Sequence, residues 1–347
     1  MTMPRAEDWR NRGGHFSWQP AAENACPVEI FHVELGDPGA PVLLLIHGWP
    51  TSSIDWFDVA GQLSARFRVC ALDFPGYGFS DKPQGWGYSL RRDEELMEFY
   101  LAEVIGTETG VIVAHDRGDS VALVHAARCA EGRSAARIEH LVLSNGNIFL
   151  PLSNLTQAQR RILDADSGPQ IAAAVSPAAL AAGLGATTFT PPRGPGDPEI
   201  EALTATFAHG NGIKVLHETI QYLAERSKDE QGWLRALADA PFPVTVIWGL
   251  CDAVSPPRVA SYVWNEYLML KPGGNRLYFI PDAHHYLQAD RPDAFVEVLL
   301  HALEPADSHG PGPLGPEPGA PLLVDTSRER LPTAADLLRA EDSARTN

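Results

Sequence analysis

One stretch carries chemistry more plainly than any other: Val111-Ile112-Val113-Ala114-His115-Asp116-Arg117-Gly118-Asp119-Ser120-Val121-Ala122. An apolar run ends at an acid, a glycine follows two residues later, and Val121, Leu123, Val124 and Ala127 then recur at near-helical spacing. A strand that bends sharply into a helix, with a reactive side chain at the bend, is a nucleophile elbow. Ala114 and Gly118 suit a strained turn with no room for larger side chains. The apex residue is Asp116, and a carboxylate there can attack an sp3 carbon to form an alkyl ester. Two plainer readings compete. Asp116 could simply cap the helix. Gly118-Asp119-Ser120-Val121-Ala122 also comes close to G-x-S-x-G, which would make Ser120 the nucleophile and bury His115, Asp116 and Arg117 in a strand at a high desolvation cost.

An ester on Asp116 needs a base to activate water and donors to hold charge on its carbonyl oxygen. His285, in Pro281-Asp282-Ala283-His284-His285-Tyr286, follows one late apolar run, and Asp252, in W-G-L-C-D, follows another. The chain order Asp116, Asp252, His285 is nucleophile, acid, base. His285 would activate water, and Asp252 would fix its tautomer and stabilise the imidazolium. His284 is the neighbouring rival for the base. Asp282 competes with Asp252 but lies on the base's own loop and reads as a turn residue. Leu43-Leu44-Leu45-Ile46-His47-Gly48-Trp49-Pro50 is a buried strand running into a loop, and the backbone N–H groups of Trp49 and Arg117 are the natural oxyanion-hole pair. His47 reads as a hydrogen-bonder beneath that loop. Asp73 and Ser80, in L-D-F-P-G-Y-G-F-S, read as structural.

These groups need a rigid frame. Short Val/Ile/Leu-rich runs at 28–35, 42–46, 67–72, 111–114, 138–143, 244–248 and 277–280 alternate with helical patterns at 90–104, 120–130, 257–270 and 293–303. Such alternation predicts an α/β fold, a mostly parallel sheet with helices on both faces, with reactive groups gathered beyond the carboxyl ends of the strands. The core is expected over 1–150 and 241–304. Between them, 151–240 is Ala-rich, helical in tendency and broken by Gly- and Pro-rich pieces, which predicts an inserted helical lid that excludes water and shapes a pocket. The Pro/Gly-rich and then polar stretch 305–347 predicts a flexible tail, with a short helix at 331–338 as one option.

The 347 residues are 44% hydrophobic, enough for a substantial core, and carry 27 Lys+Arg against 44 Asp+Glu. The net charge of −17 argues against nucleic acid and anionic membranes as partners. Cys26, Cys70, Cys129 and Cys251 are scattered, which suggests reduced thiols in a cytoplasmic protein. The polar N-terminus has no apolar secretion signal, and no apolar run approaches membrane-span length. No dinucleotide fingerprint or phosphate loop appears, and no cofactor or metal is expected.

Over roughly residues 25–303 the chain resembles the α/β-hydrolase superfamily. H-G-W-P, D-F-P-G-Y-G-F-S, the H-D-R-G elbow and H-H-Y-L-Q-A-D-R-P resemble epoxide hydrolases and haloalkane dehalogenases. L-S-N-G-N-I-F and Q-Y-L-A-E-R also resemble the mesoderm-specific transcript proteins, an epoxide-hydrolase-like branch. The resemblance places the base at His285 through H-Y-x-Q. It also implies a small-molecule substrate, an epoxide or an alkyl halide, and water. Epoxide hydrolases usually set two lid tyrosines over the nucleophile. Tyr222 matches one, and no Tyr between Tyr100 and Tyr222 supplies the other, with His209 or Asn211 as candidate stand-ins. Arg117 stands where haloalkane dehalogenases carry a halide-holding Trp. It resembles the carboxylate-binding Arg of fluoroacetate dehalogenases, but Ser120 replaces their second Arg, which leaves that clamp incomplete. Epoxide hydrolysis therefore ranks first, dehalogenation of a haloalkane or haloacid second and serine-type ester hydrolysis third, with a non-catalytic binding protein of this fold still open.

Overall fold

A computed structural model describes residues 3–21, 26–304 and 312–328. The strands are β1 (Gly13–Trp18), β2 (Val28–Leu35), β3 (Val42–Ile46), β4 (Arg68–Leu72), β5 (Thr109–His115), β6 (Arg137–Ser144), β7 (Val244–Gly249), β8 (Arg276–Ile280), β9 (Gly312–Pro313) and β10 (Leu322–Thr326). They form one sheet in the order β1-β2-β4-β3-β5-β6-β7-β8-β10-β9. The run from β4 to β8 is parallel, and both ends are closed by antiparallel pairs.

The pleat sorts the core into two layers. Leu44, Ile46, Ile112, Ala114, Leu141, Leu143 and Val246 point to one face, and Leu43, Leu45, Val111, Val113, Val142 and Ile247 to the other. The helices Leu90–Phe99, Arg117–Ala130 and Pro257–Val263 cover the first face, and Phe57–Leu63 and Pro292–Ala302 the second. Strands buried on both faces carry little polar alternation, which is why they stand out as apolar runs in the sequence.

Residues 151–240 lie between β6 and β7 and contain helices and no strand: Gln157–Leu163, Ser167–Ala174, Pro177–Thr188, Pro198–Ala208, Leu216–Thr219 and Tyr222–Asp239 are the α-helical pieces. Three of their starts follow local chemistry. Thr156 and Gln159 form a capping box, Ser176 caps a helix opening on Pro177, and Asp197 caps one opening on Pro198. Among the described residues no single helix is long and apolar enough to cross a membrane.

The flexible tail expected over 305–347 is corrected in its middle part. Residues 322–326 form β10 against β8, Leu323 is buried, and Asp325 Oδ2 accepts a bond from Trp264 Nε1 at 3.1 Å. Within the Pro- and Gly-rich stretch, residues 314–321 form the turn between β9 and β10, and Leu-Leu-Val-Asp-Thr is itself a strand pattern. The option of a helix at 331–338 lies outside the described residues.

Candidate active site

β5 ends at His115 and the next helix begins at Arg117, so Asp116 alone makes the turn, with φ 50° and ψ −112°. A non-glycine residue held there costs on the order of 1–3 kcal/mol, and close packing maintains it. A Cβ on Gly118 would sit 2.6 Å from the Ile46 carbonyl oxygen, and one on Gly48 would sit 2.8 Å from Asp116 Cβ. Asp116 occupies the N-cap position, yet its side chain makes no capping bond. Instead Oδ2 accepts a bond from the backbone N–H of Trp49 at 2.9 Å. Ser120 lies a turn into the helix, fully buried, so the bend is at Asp116 and the G-x-S-x-G register is not used.

The loops after β7 and β8 bring the two other predicted groups to this turn. His285 Nδ1 bonds Asp252 Oδ2 at 3.0 Å, and His285 Nε2 stands 3.8 Å from Asp116 Oδ1. The other Asp252 oxygen is held by the backbone N–H groups of Val254 and Ser255 at 2.8 and 3.0 Å, which fixes the carboxylate against the imidazole. Burial alone would lower the His285 pKa, but Asp252 and Asp116 outweigh it and hold it above the ordinary value. His284 turns away: its Nδ1 accepts the backbone N–H of His285 at 2.7 Å, and its own N–H donates to Asp290 at 2.8 Å. Asp282 is 75% exposed beside Arg291, at a positive φ of 53° that suits a turn residue.

Above His285 and Trp49 lies a cavity of about 410 Å³, walled by Leu180 and Leu184 of the lid and by Val254 and Tyr286 of the core. Tyr222 opens the last lid helix and is buried, and its hydroxyl has no protein partner among the described residues. Burial first, and then the Asp116 carboxylate, raise Tyr222 well above its ordinary range, so it holds its proton. The proposed stand-ins do not join it. Asn211 is exposed, and His209 packs on Phe79 at 5.2 Å between ring centroids. Arg117 places its backbone N–H directly after Asp116, at the N-terminal end of its helix. Its side chain is buried, bonded to Asp93 and laid over the rings of Phe74, Tyr77 and Tyr222.

The residues expected to be structural behave so. His47 accepts the Phe74 N–H at 3.1 Å and donates to the Gly48 carbonyl at 2.8 Å, with burial lowering its pKa to about 3. Asp73 accepts from the backbones of Ser53 and Phe79, both at 2.7 Å, and the Ser80 hydroxyl donates to the Asp73 carbonyl at 2.6 Å. Sequence reasoning missed Asn145 and Arg226. Asn145 Nδ2 donates to the carbonyls of His284 and His285 at 2.8 and 3.1 Å, and its Oδ1 accepts the Gly249 N–H at 2.9 Å, tying the ends of β6 and β7 to the histidine loop. Its signal was the polar S-N-G-N cluster after an apolar strand. Among the described residues Glu94, Glu98 and His125 are close enough to share a metal, but the Arg128 guanidinium lies on both carboxylates, which makes the group an internal ion network.

Residues 43–298 match the alpha/beta hydrolase family. The chain belongs to that family. This alpha/beta hydrolase is 33% identical to LipZ of Mycobacterium tuberculosis, a hydrolase by name, across 87% of this chain and 99% of LipZ. It is 31% identical to the human mesoderm-specific transcript homolog protein across 86% of this chain and 87% of that one. Its fold matches the crystal structure of the haloalkane dehalogenase DbeA from Bradyrhizobium elkani with a TM-score of 0.67 and 21% identity, covering 83% of this chain and 97% of that one.

Proposed function

We propose that this alpha/beta hydrolase opens epoxides through an ester on Asp116, which a water activated by His285 then hydrolyses. The observation that carries this reading is a carboxylate at the elbow with Oδ2 on the Trp49 N–H and Oδ1 facing a histidine that Asp252 holds. Oδ1 attacks a ring carbon, the C–O bond breaks, and its electron pair goes to the ring oxygen, which takes the Tyr222 proton. His285 Nε2 then removes a proton from water, and the hydroxide attacks Asp116 Cγ. The tetrahedral oxyanion forms on Oδ2, where the Trp49 and Arg117 N–H groups stabilise it. On collapse the Cγ–Oδ1 bond breaks and the leaving alkoxide takes the proton from His285 Nε2, while the second proton of the water, left on the new carboxyl group, restores Tyr222, so that the diol departs from an ionised Asp116 and a neutral His285. Apolar lid walls favour a small, largely apolar substrate.

Dehalogenation is the second reading, favoured by the same nucleophile, base and acid. The Arg117 bond to Asp93 disfavours a haloacid, whose carboxylate would compete for that guanidinium. Tyr222 separates epoxide from halide, because halide departure needs no proton. Tyr222→Phe is expected to slow adduct formation with an epoxide by about 10²-fold and to leave haloalkane alkylation unchanged. Equal rates for wild type and variant with every epoxide that reacts would remove Tyr222 from the mechanism and favour the dehalogenase reading.

A further inference from the structure

Arg226 is fully buried, and Nε, Nη1 and Nη2 all lack a hydrogen-bond partner among the described residues. An unpartnered guanidinium in a protein interior costs several kcal/mol, so a fold that keeps one needs a reason. Asp119, Glu230 and Asp116 act on its charge, yet among the described residues none of them hydrogen-bonds it. Tyr222 lies four residues earlier on the same helix, so the two side chains share one face about one turn apart. Its hydroxyl is likewise buried and without a partner.

Resting on the epoxide reading above, we infer that Arg226 is the positioning residue for proton donation: it holds its charge beside Tyr222 to stabilise the tyrosinate left when the ring oxygen takes the proton. In the resting enzyme Tyr222 is protonated and uncharged, so no ion pair joins the two groups. During ring opening the negative charge passes from Asp116 to the ring oxygen and, with the proton transfer, to the Tyr222 oxygen. Both side chains are buried one turn apart on the helix, and at low dielectric a fixed cation at that spacing acts strongly and need not reorganise. Arg117, whose guanidinium carbon stands 5.6 Å from the Tyr222 ring centroid, flanks it from the nucleophile side but is bonded to Asp93. Arg226 has no such carboxylate partner. The role that a second lid tyrosine would fill is then met by a cation that strengthens the one tyrosine present.

The test compares single-turnover adduct formation in wild type, Arg226→Gln, Arg226→Lys, Tyr222→Phe and Tyr222→Phe/Arg226→Gln, with an epoxide and with a haloalkane. Arg226→Gln is expected to slow the epoxide reaction on the order of 10-fold, with Arg226→Lys recovering most of the loss and haloalkane alkylation unchanged. In the Tyr222→Phe background the same change should cost nothing further, because the group Arg226 acts through is gone. Equal slowing of both substrates, or full additivity in the double variant, would overturn the role and leave the epoxide reading standing. A wild type that forms an adduct with haloalkanes and with no epoxide would overturn both. If Arg226→Gln does not fold, Arg226→Met, a similarly long side chain without the charge, takes its place in the two Tyr222 backgrounds: the slowing must be confined to the epoxide and absent beside Tyr222→Phe, and an unslowed epoxide reaction overturns the role.

Discussion

Replacing His285 with Gln separates the two halves of the proposed reaction. Glutamine fills much of the imidazole's space but cannot take a proton from water. Alkylation needs the Asp116 oxygen and the Tyr222 proton but no base, so it should proceed within a few-fold of wild type, whereas ester hydrolysis should fall by about 10²–10⁴, the usual contribution of a positioned base. That is about 3–5 kcal/mol on the second barrier. The geometry makes the comparison sharp. Nε2 is the nitrogen that faces Asp116, and Nδ1 is committed to Asp252 at 3.0 Å. Incubation with an excess of a reactive epoxide should therefore give one adduct per chain, read as a mass increase on the intact protein and on the peptide containing Asp116. His284→Gln removes the acceptor of one backbone hydrogen bond and should leave turnover within about 10-fold, since such a bond contributes only about 1 kcal/mol. Adduct accumulation in the His284 variant and not in the His285 variant would refute the register. Unchanged turnover in His285→Gln would refute the base.

Three further outcomes follow from the same geometry. Gly48→Ala should slow alkylation by about 10²-fold, because the new Cβ would press on Asp116 Cβ at 2.8 Å and on His115 Nδ1 at 3.2 Å, and stopped-flow adduct formation measures it. The hydrolysis half-reaction should rise with pH and level off above the ordinary histidine range, since the base must be neutral and its pKa is raised; Asp252→Asn should move that midpoint to lower pH, as seen in single-turnover rates across pH. His125 is buried, and although burial opposes its charge, bonds to Cys129 and Glu94 raise its pKa from 6.5 to about 9. Its stabilisation, up to about 3 kcal/mol, is complete below pH 6.5 and lost as the pH rises through about 9, so Tm should drop by about 4 °C over that window in wild type and by less in His125→Asn.

Much of this architecture is legible in the chain because its central strands are buried on both faces. Val42–Ile46, buried at every position, has the bounds that its apolar run predicts. The sheet edges are not legible in that way. β1 reads Gly-Gly-His-Phe-Ser-Trp, and its first glycine is there because a Cβ would strike the Phe31 ring at 2.4 Å, a packing reason that leaves no hydrophobic pattern. β10 is hidden inside a segment whose Pro and Gly content dominates its composition. Asp116, Asp252 and His285 were readable because each follows the end of a strand, where the fold gathers reactive groups. Arg226 was not, since a charged residue on an amphipathic helix usually faces solvent, and only the packing of the lid helix shows that this one points inward.

The covalent ester is the claim on which the rest depends, and one turnover in heavy-oxygen water tests it most directly. With enzyme in excess over epoxide, the oxygen added to the first diol should come from Asp116 and carry no label, while the label should appear in the Asp116 carboxylate of the recovered protein. Label in the diol after that first turnover, with none in the enzyme, would mean that water attacks the ring directly and that Asp116 is not the nucleophile.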